Sequence, residues 1–190
     1  MRYEFIEIGT SDFNYLAGGK GPGISVEPIQ KYLNRIPSKG TTKVNAAIIP
    51  LSEKRPGATA TIWYISEAEI ERLKLPAWAK GCASVNKPHE TIKNRYPEAK
   101  WTTEEIPAMT LGELYKKYGV TEIGTLKIDA EGRDTEIVLQ HLKLDVLANK
   151  IEFEVNALTD PMEVKAIEEA LRLTTCKMDR IKRGIRISLS

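Results

Sequence analysis

FIEIGTSDFNYLAGGKGPGISVEP, residues 5–28, decides how the rest of the chain is read. Apolar Phe5, Ile6 and Ile8 run up to Gly9, and the polar turn Thr10-Ser11-Asp12 follows at once. This predicts a short strand over Tyr3 to Gly9 that ends in a turn. Phe13 to Leu16 begins a helix or helical turn. Gly18-Gly19-Lys20-Gly21-Pro22-Gly23 reads as loop, because glycine and proline at this density hold no regular structure. Ile24 to Glu27 is a second buried strand. Pro28 then opens a helix, its fixed φ suiting the first helical position, with Ile29, Tyr32, Leu33 and Ile36 as the apolar stripe.

Working outward, the alternation continues. Lys43 to Ile49 and Thr59 to Ile65 read as strands, the second rich in β-branched and aromatic residues. Ser66 to Thr103 is the least regular stretch and predicts a long excursion over the sheet, a type of segment that is usually functional in compact domains. Thr110 with Glu113 forms a capping box for a helix that stops at Gly119. Ile123 to Asp129 is a buried strand, Glu131 to about Leu147 a helix, Ile151 to Val155 a strand and Glu163 to Leu173 an amphipathic helix. Lys177 to Ile181 and Ile185 to Leu189 close the chain as a hairpin around Arg183-Gly184. Strands alternating with helices argue an α/β fold, a mostly parallel sheet with helices on both faces and an antiparallel edge hairpin at the C-terminus. The 190 residues form one domain, residues 1–190.

Composition narrows the function classes. A net charge of +2 argues against a nucleic-acid binder, which carries a strongly basic face, and the basic residues near the end read as solvated hairpin surface. No stretch approaches the roughly 20 apolar residues of a membrane span, and the first residues do not have the form of a signal peptide. Cys82 and Cys176 stand far apart, without zinc spacing or a disulfide framework. Together these predict a cytoplasmic protein with free thiols.

In an open α/β sheet, ligands bind outside the carboxyl ends of the strands, so the chemistry is sought there. Gly9 lets a ligand approach the backbone where a Cβ would block it, and the turn after it offers amide hydrogens and hydroxyls. Glu27 stands about 20 positions after the glycine turn, the usual place of the acid that accepts from a ribose diol. The other reading of Glu27 is that it caps the following helix. The turn is not Gly-x-Gly-x-x-Gly, and Asn14 stands where a Walker A loop needs glycine, so nicotinamide, flavin and P-loop sites are disfavoured. His89, in the stretch 83–89, is a natural base near neutral pH, although a lone loop histidine is more often surface. His141 reads as surface.

FIEIGTSDFNYL, SVEP, VNAAI and MTLGELYKKYG followed by IGTLKIDAEGRDTEIVL resemble an FkbM-like methyltransferase from about Phe5 to Val155. The resemblance implies the Rossmann-like class I methyltransferase fold, S-adenosylmethionine (SAM) as methyl donor, and mostly O-methylation of a small molecule or sugar. It implies that Glu7, Gly9 and Ser11, with Thr10 in the same turn, surround the methionine part of SAM. Glu27 would take the ribose with Pro28 beside it, Asn45 and Ala46 would lie near the adenine, and Asp129 would face the reactive end. Asp129, Glu131 and His89 are the candidate catalytic residues. The chain departs from the family's pattern in lacking the helical extension before the first strand and the third glycine of the turn. The acceptor side would then be open, and such a surface, bearing Trp78, predicts a homodimer.

The acceptor side offers less. Lys127 and Asp129 share one face of a strand, as do Glu152, Glu154 and Asn156 on the next. Asp129, Glu154 and Asn156 would gather oxygen atoms suited to Mg²⁺, against the alternative of structural ion pairs with Lys127; no metal ligands are assigned. Trp63, Trp78 and Trp101 are candidates to line an acceptor pocket, or core. The rival to an enzyme is a SAM- or nucleotide-binding module without turnover that serves as a partner subunit.

Overall fold

The computed structural model describes residues 1–189 except 10, 13–14, 20, 86, 157–158, 173 and 183. β1 (Arg2–Ile8) and β2 (Gly23–Val26) form where the opening stretch predicts them. α1 (Gln30–Arg35) follows, starting two residues after Pro28, with Ile29 at its N-cap. The strand expected over residues 43–49 is two strands, β3 (Thr41–Val44) and β4 (Ala47–Ile48). The break at Asn45-Ala46 has a cause: the Asn45 amide donates to the carbonyls of Glu27 (3.0 Å) and Pro28 (2.6 Å), which turns the chain out of the sheet.

Beyond the break lies more order than the sequence suggested. β5 (Thr59–Ile65) forms as expected, and α2 (Glu67–Arg72), β6 (Ser84–Val85), α3 (Glu90–Arg95) and the start of β7 (Trp101–Met109) fill the region read as an excursion. β4, β7, β5 and β6 make a second, four-stranded sheet with an apolar core of its own around Ile49, Ile62 and Ile106. The elements were hidden because each helix is only six residues long, too short for periodicity to register.

α4 (Leu111–Tyr118) has the predicted capping box, with Thr110 and Glu113 exchanging hydrogen bonds, and ends at Gly119 with φ +60°. β8 (Glu122–Ile128) follows. α5 (Asp134–His141) is much shorter than the helix expected over 131–147. β9 (Leu147–Glu154) begins four residues before its predicted start, because β8 pairs with it from Glu122 opposite Leu147 onward. This is tertiary pairing overriding local pattern. α6 (Pro161–Leu171) is capped by the Asp160 side chain, which accepts from Met162 N at 2.8 Å. β10 (Cys176–Ile181) and β11 (Gly184–Leu189) form the closing hairpin.

The main sheet has seven strands in the order β10-β11-β9-β8-β1-β2-β3. The pairs from β9 through β3 are parallel. The reversed strand is β11, which lies between β9 and the edge strand β10. The protein is thus α/β with a mostly parallel sheet. Ile6, Ile24 and Leu126 on one face pack with Leu111 of α4, Ile137 of α5 and Ile167 of α6. Phe5 points to the other face and packs with Leu33 of α1 and with Ile36, the residue that ends it. Among the described residues no helix is long and apolar enough to cross a membrane.

Candidate functional site

The strand order reverses between β1 and β8, the place where open α/β sheets bind ligands. Backbone bonds continue the pairing one residue past the strands: Gly9 N donates to Val26 O, Glu27 N to Val44 O and Asp129 N to Ile8 O. Asn45, Glu27, Gly9 and Asp129 thereby form a row along the carboxyl edge. Above it lies a narrow cleft with a cavity volume of about 40 Å³. Gly9, Ser11, Glu27, Pro28, Ala46 and Asp129, all expected at the cofactor, line it. Its far wall comes from elsewhere: Tyr32 of α1, Ile62 of β5, Lys80, and Ala83 and Val85 at β6. The second sheet therefore closes the cleft, and nothing local to those residues announces it.

Gly9 is required for a reason other than ligand approach. Its φ is +74°, and a Cβ there would stand 2.1 Å from the carbonyl oxygen of Asp129. The glycine lets two strand ends touch.

Glu27 is 2% exposed. Its carboxylate accepts from Ser11 N at 2.8 Å and from Ile29 N at 2.9 Å. The group thus ties the glycine turn to the start of α1, and the capping reading of Glu27 describes part of its work. Each carboxylate oxygen keeps a second lone pair. Burial pushes its pKa up to about 7, against the two amides and with help from the negative charges of Asp12 and Asp129.

Ser11 has φ +54°, a conformation that costs a non-glycine residue roughly 1–3 kcal/mol. It is 5% exposed, and its hydroxyl has no hydrogen-bond partner among the described residues. A strained residue with an unanswered buried hydroxyl on a cleft wall marks a place for a polar ligand. Asp12, next in the turn, pairs with Lys80 and, at 2.6 Å, with Arg35, which latches the turn to α1 and to the second sheet's flank.

Other expected cofactor residues act from behind the cleft. Glu7 is fully buried one row below and accepts from Leu16 N and Ser25 Oγ. Asn45 holds the turn after β2, as described. Thr10 lies outside the described residues, as do Phe13 and Asn14 of the helical turn expected over 13–16.

The turn after β8 carries the three candidate catalytic residues' meeting point. Asp134, fully buried, accepts from the amides of Ala130 (3.3 Å) and Gly132 (3.2 Å). Burial pushes its carboxyl up to about 7. This clasp holds Glu131 at φ +45°. Glu131 Oε2 lies 2.9 Å from His89 Nε2. His89 is 6% exposed rather than a surface loop residue. Cys82 is close by, and burial raises its thiol pKa well above the usual range, with Glu131, Glu154 and Asp129 adding to the effect. Asp129 and Glu154 lie with Glu131 in a cluster whose ligand oxygens are within 4.8 Å of one another.

On the other side of Asp129 a second groove, with a cavity volume of about 240 Å³, is lined by Tyr15, Lys127, Asp129, Glu152, Glu154 and Ile181 among others. Asp129 belongs to both cavities. The tryptophans line neither. Trp63 is half-buried in β5, Trp101 packs with the Ile65 cluster, and Trp78 is exposed with the Arg95 guanidinium 5.9 Å from its ring centre. Tyr32 is the aromatic of the cleft. His141 is a correction of the opposite kind: it is buried, its Nδ1 lies 3.0 Å from Tyr115 Oη, and burial lowers its pKa to about 4. Its helix turns it inward onto α4, where its partner is 26 residues distant in sequence.

Comparison of the chain with protein-family models, with curated proteins and with solved structures yields no match.

Proposed function

We propose that this chain is a SAM-dependent methyltransferase, of the FkbM-like kind that its motifs resemble, acting on an oxygen of a small molecule or sugar in a reducing compartment. The observation that carries the reading is the cleft at the reversal of strand order, where Glu27 follows β2 and Ser11, its hydroxyl unanswered among the described residues, lines the wall. The free lone pairs of Glu27 suit a ribose diol. Tyr32, Ala47, Ile48, Ile62 and Val85 make an apolar lobe suited to adenine. Gly9, Ser11 and Asp129 are left for the amino-acid end. SAM supplies a methyl group on a sulfonium, and the chain's contribution is mostly positioning. Asp129, standing where cleft and groove meet, orients the donor or takes the acceptor's proton. The groove's charged walls suit a hydroxylated acceptor.

Calorimetry tests this. SAM or its demethylated product binds, and NAD binds little. Glu27→Ala lowers SAM affinity about tenfold or more, as loss of a charged hydrogen-bond acceptor requires, and Glu27→Gln lowers it less. NAD binding tighter than SAM overturns the reading. SAM binding without transfer to any acceptor would make the chain a binding module.

A further inference from the structure

Cys82, His89 and Glu131 come from three separate places: the end of a 3-10 turn at 77–81, the residue before α3, and the turn after β8. Yet a Cys82 Sγ, a His89 ring nitrogen and a Glu131 carboxylate oxygen all lie within 4.8 Å of one another. Cys82 is 7% exposed. His89 Nδ1 is buried with no hydrogen-bond partner among the described residues. With Nε2–H donated to Glu131, that nitrogen is a lone pair facing no donor. A histidine serving only as core would have both nitrogens answered. Glu131, for its part, is held in a left-handed conformation by the Asp134 clasp. Two independent irregularities thus converge on one spot.

We infer that Cys82, His89 and Glu131 bind one zinc ion in the wall of the cleft. The donor set chooses the metal: a thiolate and an imidazole favour zinc, whereas Mg²⁺ and Ca²⁺ prefer oxygen alone. Metal–ligand bonds of about 2.0–2.3 Å put tetrahedral ligand atoms roughly 3.3–3.8 Å apart, so side-chain rotation closes the set. On binding, the Cys82 thiol gives its proton to solvent. The Nε2 proton passes to the open Nδ1 by way of solvent, and the hydrogen bond between His89 Nε2 and Glu131 is replaced by two bonds to the same ion. Three protein ligands leave a fourth position, which Asp129, Glu154 or water fills; the two acids already cluster with Glu131. Gly81, Ala83 and Ala130, the chain neighbours of two ligands, line the cleft, so the ion lies directly behind its wall. This site does not rest on the methyltransferase reading, and it takes His89 and Glu131 out of the role of free bases.

The test uses the full chain stripped by a chelator and titrated with Co²⁺, a coloured stand-in for zinc. One equivalent gives a thiolate-to-cobalt charge-transfer band, which one equivalent of Zn²⁺ abolishes. Cys82→Ser loses the band and Cys176→Ser keeps it. His89→Ala and Glu131→Gln weaken Co²⁺ binding about tenfold or more. Zn²⁺ raises the melting temperature of the wild type and not of Cys82→Ser. No band from the wild type in a large excess of Co²⁺ overturns the inference, whether or not the variants fold. So does a band that survives Cys82→Ser, or Mg²⁺ binding without Zn²⁺ binding, which would assign the oxygen cluster instead.

Discussion

On one face of the main sheet Ile6, Ile8, Ile24, Val26, Leu126 and Ile128 form an apolar layer under α4, α5 and α6. On the other face a polar row crosses all seven strands. Strand register sets Lys43 beside Ser25, Ser25 beside Glu7, Glu7 beside Lys127, Lys127 beside Glu152, Glu152 beside Arg186 and Arg186 beside Asp179. From Glu7 to Asp179 the charges alternate in sign, so each meets opposite charge on its neighbours. The row is buried at Ser25 and Glu7 and exposed at Arg186 and Asp179. One step further toward the carboxyl ends, on the same face, stand Asn45, Glu27, Gly9 and Asp129. The candidate site is thus the continuation of the polar face past the end of the ladder. One face serves stability by burial, and the other holds charge in fixed positions at the edge where the cleft opens.

The sharpest way to break this contrast is to remove one residue from the centre of each face and compare unfolding in denaturant. Glu7→Ala takes the acceptor from the Leu16 amide and the Ser25 hydroxyl and a carboxylate from beside Lys127. It should cost about 3–5 kcal/mol, as loss of one member of a buried charged set does. Leu126→Ala on the apolar face should cost about 2–5 kcal/mol by cavity formation. A Glu7→Ala cost under about 1 kcal/mol, the scale of an exposed pair, would mean that the polar row bears no structural weight.

The pH profile sharpens the contrast at the sheet's edge. Glu27 titrates near 4.5 when unfolded and at about 7 in the fold. Between those values the folded chain keeps a proton that the unfolded chain has lost. Its contribution is therefore complete below pH 4.5 and disappears as pH rises through 7, a fall of about 3 kcal/mol. Asp134 acts in the same direction and over a similar window. Glu67, which Arg35 and Lys31 hold at about 2, acts oppositely and only below its unfolded value of 4.5. His141, lowered from 6.5 to about 4 by burial, adds stability as pH rises between those values and offsets part of this fall. Stability measured from pH 5 to 7 should thus decline by less than the two carboxyls alone would give, and Glu27→Gln should flatten part of the decline. An unchanged slope in Glu27→Gln would show that its carboxylate is ionised across the range.

The smallest effect is expected at the exposed end of the row. Arg186 Nε lies 2.8 Å from Glu152 Oε1, but the arginine side chain is 44% exposed. Arg186→Ala should cost less than about 1 kcal/mol and become indistinguishable from wild type in high salt. A larger loss would extend the structural part of the row to the hairpin.

What the sequence by itself determined was what is encoded over a few residues. The capping box at Thr110 and Glu113, the stop at Gly119, the closing hairpin and the first two strands all depend on neighbours in the chain, and all are found. Strand ends are local too, which is why Gly9, Ser11, Glu27, Ala46 and Asp129 were legible as lining a site. The true reason for Gly9 was not, since it lies in a carbonyl 120 residues away. Tertiary structure alone decided where β3 breaks, how early β9 begins and that residues 47–109 build a second sheet over the cleft. It also turned His141 inward and brought Cys82 and His89 to Glu131. Each of these depends on pairing or packing between segments far apart in the chain. Short elements are stabilised by such partners rather than by their own propensity, so no local pattern carries them.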